Sequence, residues 1–214
     1  MVTEHRYIEA DTGSLAFVLR GGEPNHPLHV LMLHGRGGDE RVMWVLESIL
    51  PEGAPVAAIR GRFEMPDGGY QWTEQSSSID SKVEDFSHSV VSLRHTLDVL
   101  HQEHGFALDR LVLMGFSQGG ALSFAFANAL DLPPLALVVL AGFYPKGLTG
   151  NFRGLPVFWG HGSRDEHVPV ERARADVEWL ELNGAMVHYC EADVTHKIGV
   201  ECTRGLSRWL ETIA

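Results

Sequence analysis

One serine of this chain lies in a pattern that could make it a nucleophile. Ser117 stands in the stretch GFSQGG, with Gly115 two residues before it and Gly119 two residues after it. An apolar run precedes the serine and a helix-compatible segment follows, so the chain must turn sharply there and strain its backbone. The glycines remove side chains that would collide across such a turn. The pattern therefore predicts an exposed hydroxyl at a strand-to-helix corner, the arrangement called a nucleophile elbow.

A serine hydroxyl is a weak nucleophile, so it needs a histidine base and an acid that orients the base. Both are expected after the serine, with the acid first. We predict Asp165, in the glycine-rich turn GHGSRDEHVP, and His196, in the loop EADVTHKIG. Glu166 would point elsewhere in a tight turn, and Asp193 is so near His196 that a local turn hydrogen bond suits it better. The other histidines beyond the serine lie in strands or beside the acid: His161, His167 and His188.

Acyl chemistry would also need backbone N–H groups that stabilise an oxyanion. Gln118 follows the serine at the start of the predicted helix, where N–H groups point toward negative charge. The loop LMLHGRGGDE offers a second donor, the N–H of Arg36, because Gly35 and its neighbouring glycines let the main chain approach a ligand. The alternative is a flexible turn before the helix-compatible segment RVMWVLESIL. We interpret His34 as a residue that holds this loop by hydrogen bonding.

Six short apolar runs supply the elements that must position these residues. They alternate with longer amphipathic segments, which is typical of a buried parallel sheet between helices. The runs are LHVLMLHG, APVAAIRG, DRLVLMGF, LALVVLAG, LPVFWGHG and AMVHYCEA. Ligands of such sheets bind outside the carboxyl ends of the strands. We therefore predict an α/β fold with a mostly parallel central sheet, helices on both faces, and its site in the loops after the strands.

The remaining segments fit one domain. Apolar residues at alternating steps of three and four predict a helix with one core-facing stripe: Val83, Phe86, Val90, Leu93, Leu97 and Leu100. The segment before Leu28, which contains SLAFVLR, is expected to supply one or two antiparallel edge strands, and residues 61–81 form the longest segment without a clear assignment. No repeat or long linker divides the chain. Residues 1–214 are predicted to form a single domain.

Composition excludes several classes of protein. The 17 basic and 28 acidic residues give a formal net charge of −11, which opposes nucleic acids and anionic lipid surfaces. The stretch HGRGGD lacks the spacing of a nucleotide-binding loop. The start of the sequence has no signal-peptide pattern, and no apolar run approaches the roughly 18 residues of a membrane span. We expect a cytoplasmic protein without stable membrane insertion. Cys190 and Cys202 fit neither a disulfide framework nor a zinc site, and we interpret them as small, half-buried side chains.

Five sequence blocks resemble the phospholipase/carboxylesterase family of small α/β-hydrolases, relatives of the acyl-protein thioesterases. They are LHGRGGDE, RGRFEMPDGGYQW, GFSQGG, HGSRDEHVP and THKIG, in the family's order and spacing. The resemblance implies the α/β-hydrolase fold without a large cap domain and a hydrolase with no metal or cofactor. It also implies a family whose subunits often pair as homodimers. By the same resemblance Ser117, Asp165 and His196 map onto a catalytic triad, and Arg36 and Gln118 onto the oxyanion hole.

Two positions depart from the family's pattern. Thr195 stands where the family usually has a glycine before the histidine, and Arg36 stands where the family often has an apolar residue. The arginine would add a positive charge at the mouth of the site. Four aromatic residues are candidates for the acyl pocket, with ordinary core packing as the alternative: Phe63, Tyr70, Trp72 and Phe143.

The function predicted from these features is a carboxylesterase acting on small-molecule esters with small to medium acyl chains. An acyl-protein thioesterase or lysophospholipase is the main alternative, since these enzymes differ in pocket shape rather than in the triad. Cofactor-free haloperoxidase chemistry shares the same triad. A catalytically inactive binding or scaffold protein is the remote alternative. The oligomeric state is left open by the sequence.

Overall fold

The computed structural model of the protein describes residues 5–9, 13–75 and 79–214. In this part of the chain the strands are β1 (His5–Ile8), β2 (Phe17–Arg20), β3 (His29–Leu33), β4 (Val56–Ile59), β5 (Phe63–Glu64), β6 (Tyr70–Gln71), β7 (Leu111–Phe116), β8 (Ala136–Leu140), β9 (Pro156–Gly162) and β10 (Met186–Ala192). Eight of them form one sheet in the order β1-β2-β4-β3-β7-β8-β9-β10. The other two, β5 and β6, pair as a small hairpin.

The central sheet is mostly parallel. Only β2 runs against both of its neighbours, and the six strands from β4 to β10 pair in parallel. Those six strands lie in the six predicted apolar runs, so that part of the prediction is confirmed. The segment before Leu28 supplies the two antiparallel strands at one edge of the sheet, β1 and β2, so the expected edge strands are confirmed, and SLAFVLR contains β2. The parallel order brings the loops after β3, β7, β9 and β10 to one edge of the sheet.

Helices cover both faces of the sheet, as predicted. The helices α1 (Ser87–His104), α2 (Gln118–Ala129) and α3 (Val170–Leu182) share one apolar core with the sheet. The helix α4 (Val200–Ile213) and a 3₁₀ helix over Val42–Ile49 share the other. Successive side chains of a strand point to opposite faces of the sheet, so Trp159 packs in the first core and its neighbour Phe158 in the second. Burying both faces of the sheet fixes its position between the two layers.

The predicted helical stripe is confirmed with a change at its start. Val83–Phe86 forms a 3₁₀ turn, and α1 continues from Ser87. The side chains of Phe86, Leu93, Leu97 and Leu100 are buried, and Val83 and Val90 pack against them. The helix ends at His104 and is capped by Gly105, whose φ of 70° suits a residue without a side chain.

The unassigned segment contains the β5–β6 hairpin. Its turn includes Gly69, with φ of 72°, where an added Cβ would overlap the carbonyl group of Gly37. Backbone hydrogen bonds join Tyr70 to Gly37 and Gly38, each 2.8 Å long. The hairpin is thus fastened to the loop after β3. Residues 76–78 of this segment lie outside the described residues.

The interpretation of the two cysteines as separate small side chains is wrong. Cys190 on β10 and Cys202 on α4 form a disulfide across a sequence separation of 12 residues. Cys202 is fully buried where α4 packs on the sheet. The disulfide closes the segment that contains His196. Sequence spacing alone did not reveal the pairing, because it depends on how β10 and α4 lie side by side.

Among the described residues, no helix has both the length and the apolar character needed to cross a membrane.

Candidate active site

Ser117 lies at the corner between β7 and α2. Its backbone has φ of 52° and ψ of −116°, a strained conformation for a residue with a side chain. A Cβ on Gly115 would overlap the carbonyl group of Gly119, and a Cβ on Gly119 would overlap the carbonyl oxygen of Leu33. Glycine is therefore required at both positions by close backbone approach. The turn presents the Ser117 hydroxyl at the carboxyl edge of the sheet.

His196 lies between Ser117 and Asp165. Its Nε2 is 2.9 Å from the Ser117 Oγ, and its Nδ1 is 2.7 Å from the Asp165 Oδ2. A carboxylate can only accept a hydrogen bond, so Nδ1 carries the proton and Nε2 is left to accept one from the serine hydroxyl. The side chain of His196 is 20% exposed and that of Asp165 is fully buried. The three side chains therefore form a row, which runs from the buried carboxylate of Asp165 through His196 to the accessible hydroxyl of Ser117.

The turn after β9 holds Asp165 in place. Its Oδ1 accepts hydrogen bonds from the N–H groups of His167 and Val168, both 2.9 Å long. The buried His161 lies 3.5 Å from the Oδ2 and bonds through its Nε2 to the carbonyl oxygen of Val168 at 2.8 Å. Burial lowers the pKa of His161, which keeps its imidazole neutral. A neutral imidazole adds no second positive charge beside the carboxylate.

The competing residues lie apart from this row. Glu166 is exposed, and Asp193 forms an ion pair with the Arg164 Nε at 2.6 Å. His188 is exposed on β10 and stacks on Phe158, with the ring centroids 5.3 Å apart. The structure thus brings together Ser117, Asp165 and His196 and leaves Glu166, Asp193 and His188 outside.

Thr195 occupies an ordinary backbone conformation. Among the described residues other than glycine, only Ser117 and Ala141 have positive φ. The loop before His196 therefore does not require the glycine that is usual in the family, and the departure at this position leaves the histidine within reach of the serine.

The loop after β3 is held by His34, as predicted. The His34 Nδ1 is 2.6 Å from the carbonyl oxygen of Gly35, and the Nε2 accepts a 2.8 Å hydrogen bond from the N–H of Gly61. Burial lowers the pKa of His34 to about 4, so the ring is neutral and its proton lies on Nδ1. An added Cβ on Gly35 would come within 2.8 Å of the Phe116 ring. This close approach places the loop directly against the elbow.

The two residues predicted to form the oxyanion hole lie beside the Ser117 hydroxyl. Arg36 and Gln118 both line the cleft at Ser117. Among the described residues, neither N–H group donates a hydrogen bond to the protein, since Gln118 opens α2 and precedes its first intrahelical bond. Within the described part of the chain, both N–H groups are therefore without a protein acceptor.

The side chain of Gln118 ties the elbow to the neighbouring loops. Its Oε1 accepts a hydrogen bond from the N–H of Trp72, and its Nε2 donates one to the Thr73 Oγ1, each 3.0 Å long. The Trp72 indole in turn donates to the carbonyl oxygen of His34 at 2.7 Å. These bonds explain why the residue after the serine is a glutamine, and they leave its backbone N–H unused.

The cleft beside Ser117 has a volume of about 300 Å³. One wall is apolar and consists of Ile79, Phe116, Phe143 and Val168. Arg36 and His167 contribute the polar part, next to the elbow and His196. The cleft therefore combines a surface for an acyl chain with basic side chains.

Only Phe143 of the four predicted pocket aromatics lines this cleft, so the prediction is corrected for the other three. Trp72 is fully buried, and its indole donates a hydrogen bond that holds the loop of His34 in place. Tyr70 lies under the guanidinium of Arg60, 4.8 Å from its ring centroid. Phe63 lies in the hairpin, with its ring 6.3 Å from that of His88.

Sequence reasoning missed four residues that line the cleft: Ile79, Phe116, His167 and Val168. Ile79 lies in the segment that had no assignment, and no pattern in the sequence singles it out. His167 and Val168 follow Asp165 directly, so their position beside the acid was the available signal. His167 lies close to the base, with its ring centroid 4.9 Å from that of His196.

In the part of the chain that the structure describes, no group of three or more His, Cys, Asp or Glu side chains could hold a metal ion. That the protein needs no cofactor stays a prediction.

The sheet order, the elbow and the loops at one edge define an α/β-hydrolase fold. The chain belongs to the phospholipase/carboxylesterase family, whose sequence model matches residues 14–213. It is 25% identical over 175 residues to acyl-protein thioesterase 1 of Cryptococcus neoformans, covering 72% of this chain and 73% of that protein.

Solved structures show the same fold. A carboxylesterase from Mesorhizobium loti has a TM-score of 0.82 at 20% identity and covers 97% of this chain and 98% of its own. A carboxylesterase from Bacillus cereus has a TM-score of 0.84 at 20% identity, covering 94% of this chain and 95% of its own. The predicted family and fold class are therefore confirmed, and the chain is a hydrolase of this family.

Proposed function

We propose that this protein is a carboxylesterase in which Ser117 is the nucleophile, His196 the general base and Asp165 the acid that orients the base. One observation carries the proposal. The hydroxyl of a strained elbow serine lies 2.9 Å from an imidazole nitrogen that can only accept its proton, because the other nitrogen is bound to a buried carboxylate.

In the first half of the reaction, the Ser117 oxygen attacks the ester carbonyl carbon as its proton moves to the His196 Nε2. The carbonyl oxygen becomes an oxyanion, which the N–H groups of Arg36 and Gln118 stabilise. The tetrahedral intermediate then collapses, and His196 gives its proton to the leaving alcohol oxygen. The acyl group remains on the serine.

In the second half, His196 takes a proton from water, and the resulting hydroxide oxygen attacks the acyl-enzyme carbonyl carbon. Collapse of this intermediate breaks the bond to the Ser117 oxygen, which recovers its proton from His196. The carboxylic acid leaves. Throughout, Asp165 holds the Nδ1 proton and stabilises the imidazolium that forms in each half.

The size of the cleft supports small to medium acyl chains. Its volume of about 300 Å³ lies at the low end of the roughly 300–1,000 Å³ that is usual for ligand pockets. Its apolar wall of Ile79, Phe116, Phe143 and Val168 would contact the hydrocarbon part of the substrate.

A protein thioesterase is the second candidate, and the similarity to acyl-protein thioesterase 1 of Cryptococcus neoformans favours it. A thioester carbonyl would occupy the same position against Ser117 and the two amides. The difference would lie in the acyl chain, since a long chain would have to extend beyond the cleft.

Hydrolysis of p-nitrophenyl esters from acetate to palmitate tests the proposal. We expect turnover that peaks at short to medium chains, and a loss of at least about three powers of ten in kcat for Ser117→Ala. A peak at long chains would favour the thioesterase or a lysophospholipase instead. Activity that survives in Ser117→Ala at the wild-type level would overturn the assignment of the nucleophile.

A further inference from the structure

The cleft has a charge that differs from that of the rest of the molecule. The chain carries a formal net charge of −11, yet none of the described residues that line the cleft is an aspartate or glutamate. Its titratable side chains are Arg36, His167 and His196. Asp165 does not reach the cleft surface, because its carboxylate is fully buried behind His196. A walled cleft with one sign of charge concentrates ligands of the other sign.

Arg36 carries the permanent charge of this cleft. Other arginines with carboxylate partners include Arg60, paired with Glu40 at 2.7 Å, and Arg174, paired with Glu191 at 2.7 Å. Over residues 5–9, 13–75 and 79–214, no carboxylate forms an ion pair with Arg36. Its charge is therefore not neutralised within the described protein.

A neutral side chain holds the guanidinium from one side. The Arg36 Nε donates a 3.3 Å hydrogen bond to the Oε1 of Gln71, whose side chain is buried in the hairpin. An amide oxygen steers the guanidinium without cancelling its charge. Within the described residues, the terminal N–H groups of Arg36 have no hydrogen-bond acceptor, and their planar arrangement matches a carboxylate or phosphate.

We propose that Arg36 is a specificity residue that binds a second, anionic group of the substrate, so the preferred esters carry a carboxylate or phosphate besides the scissile bond. It rests on the hydrolysis at Ser117 proposed above and names the substrate class for that site. The apolar wall formed by Ile79 and Phe143 contacts the carbon chain between the two ends. The arginine thus has two separate roles: its backbone N–H faces the oxyanion and its side chain faces the remote anion.

Two matched pairs of esters test this preference. Monomethyl glutarate and methyl valerate differ by a carboxylate on the acyl side. O-Butyrylglycolate and ethyl butyrate differ by a carboxylate on the alcohol side. We expect kcat/KM to be higher for the anionic member of one pair, and Arg36→Gln to lower the anionic-to-neutral ratio by about tenfold or more. The ratio cancels any effect of the substitution on the backbone N–H.

The control is Arg208→Gln, which removes the same charge from an exposed position of α4 outside the cleft. This variant should leave the anionic-to-neutral ratio at the wild-type value.

A phosphate-bearing ester, O-butyryl phosphoethanol, distinguishes the two anions. A larger Arg36-dependent ratio for this ester than for O-butyrylglycolate indicates that the site prefers phosphate. If the ratios for all pairs are the same in wild type and Arg36→Gln, the proposal is overturned.

Binding without turnover separates this proposal from the hydrolysis itself. Calorimetry with the Ser117→Ala protein should detect at least one of the two carboxylate esters, monomethyl glutarate or O-butyrylglycolate, binding about tenfold tighter than it binds to Ser117→Ala/Arg36→Gln. This result would support the anion site even if Ser117 proved not to be the nucleophile. Equal affinities for the two proteins would contradict the anion site even if hydrolysis at Ser117 were established.

Discussion

The position of one proton decides how the three central residues work. The Asp165 Oδ2 accepts from the His196 Nδ1, while the Asp165 Oδ1 is occupied by two backbone N–H groups. The carboxylate is therefore fixed, and it can accept but not donate. If the group facing Nδ1 donated instead, the imidazole would carry its proton on Nε2 and could no longer accept the proton of Ser117.

Asp165→Asn should cause this change of tautomer while keeping the shape of the side chain. The asparagine oxygen can still accept from the backbone N–H groups, so its NH₂ group would face the His196 Nδ1. We expect kcat on a p-nitrophenyl ester to fall by about four powers of ten, with an unchanged circular dichroism spectrum.

The competing carboxylates provide the matched controls for this substitution. Asp193→Asn breaks only the exposed ion pair with Arg164, and such pairs contribute at most about 1 kcal/mol. Glu166→Gln changes an exposed residue of the same turn. Both variants should retain activity near the wild-type level. An inactive Asp193→Asn beside an active Asp165→Asn would show that the acid has been wrongly assigned.

Candidate chemical residues were easier to predict than the residues that shape the cleft. Ser117, Asp165 and His196 each follow a strand that its apolar pattern reveals, and the parallel sheet brings their loops to one edge. Trp72 and Tyr70 instead lie in or beside a hairpin with only two residues in each strand. Its orientation depends on close contact with Gly37, which no local pattern in the sequence encodes.

At the scale of elements, the β10–loop–α4 unit carries His196. The loop begins after Ala192 and ends at Gly199, and the disulfide between Cys190 and Cys202 closes it on both sides. A cross-link lowers the conformational entropy of the unfolded chain by an amount that grows with the logarithm of the length of the loop that it closes. The stability of the β10–loop–α4 unit therefore depends both on the packing of α4 against the sheet and on the disulfide.

Replacing both cysteines by serine should lower the free energy of unfolding. For a sequence separation of 12 residues, chain entropy predicts a loss of about 3 kcal/mol. Urea unfolding of wild type with and without a reducing agent measures this loss, and the double variant should not respond to the reducing agent.

Thiol titration of protein purified without reducing agent checks that the disulfide forms. Disulfides are rare in reducing compartments, so the cytoplasmic location predicted from the sequence would favour two free thiols. Detection of two thiols per chain, with no effect of reducing agent on unfolding, would contradict the predicted stabilisation.

Five of the parallel strands, β3, β4, β7, β8 and β9, could be predicted because nearly all of their residues are buried, which makes them continuously apolar. The sixth strand, β10, lies at the edge of the sheet and only its last residue, Ala192, is buried. The 3₁₀ helix over Val42–Ile49 shows where such patterns stop being informative. Its segment has apolar spacing compatible with a helix, and Met43 and Leu46 are buried as a helix would bury them. The tighter winding is set by tertiary contacts with α4 and the sheet rather than by the order of apolar residues.

For the whole molecule, neutral histidines link stability to pH. Burial lowers the pKa of His29, His34, His104 and His161, so the folded state holds these rings in their uncharged form. The unfolded chain can protonate each of them near its ordinary pKa. Where the unfolded state binds more protons than the folded state, the free energy of unfolding falls as the pH is lowered.

For His34, the change in the free energy of unfolding with pH can be calculated. Its pKa is about 4 in the folded protein and 6.5 as the ordinary value, so its contribution to stability is complete above pH 6.5 and is lost as the pH falls toward 4. The full difference corresponds to about 3 kcal/mol, of which about 2 kcal/mol is lost between pH 7 and pH 5.

Urea unfolding of wild type and His34→Gln at these two pH values tests the link. The variant loses the hydrogen bond from the Gly61 N–H or forms it differently, so it should be less stable at both pH values. Only the difference between the two pH values reports the titration, and we expect it to be about 2 kcal/mol smaller in His34→Gln. An equal pH difference in the two proteins would mean that His34 is protonated to the same extent in the folded and unfolded states. The lower stability in acid would then have to come from the other buried histidines.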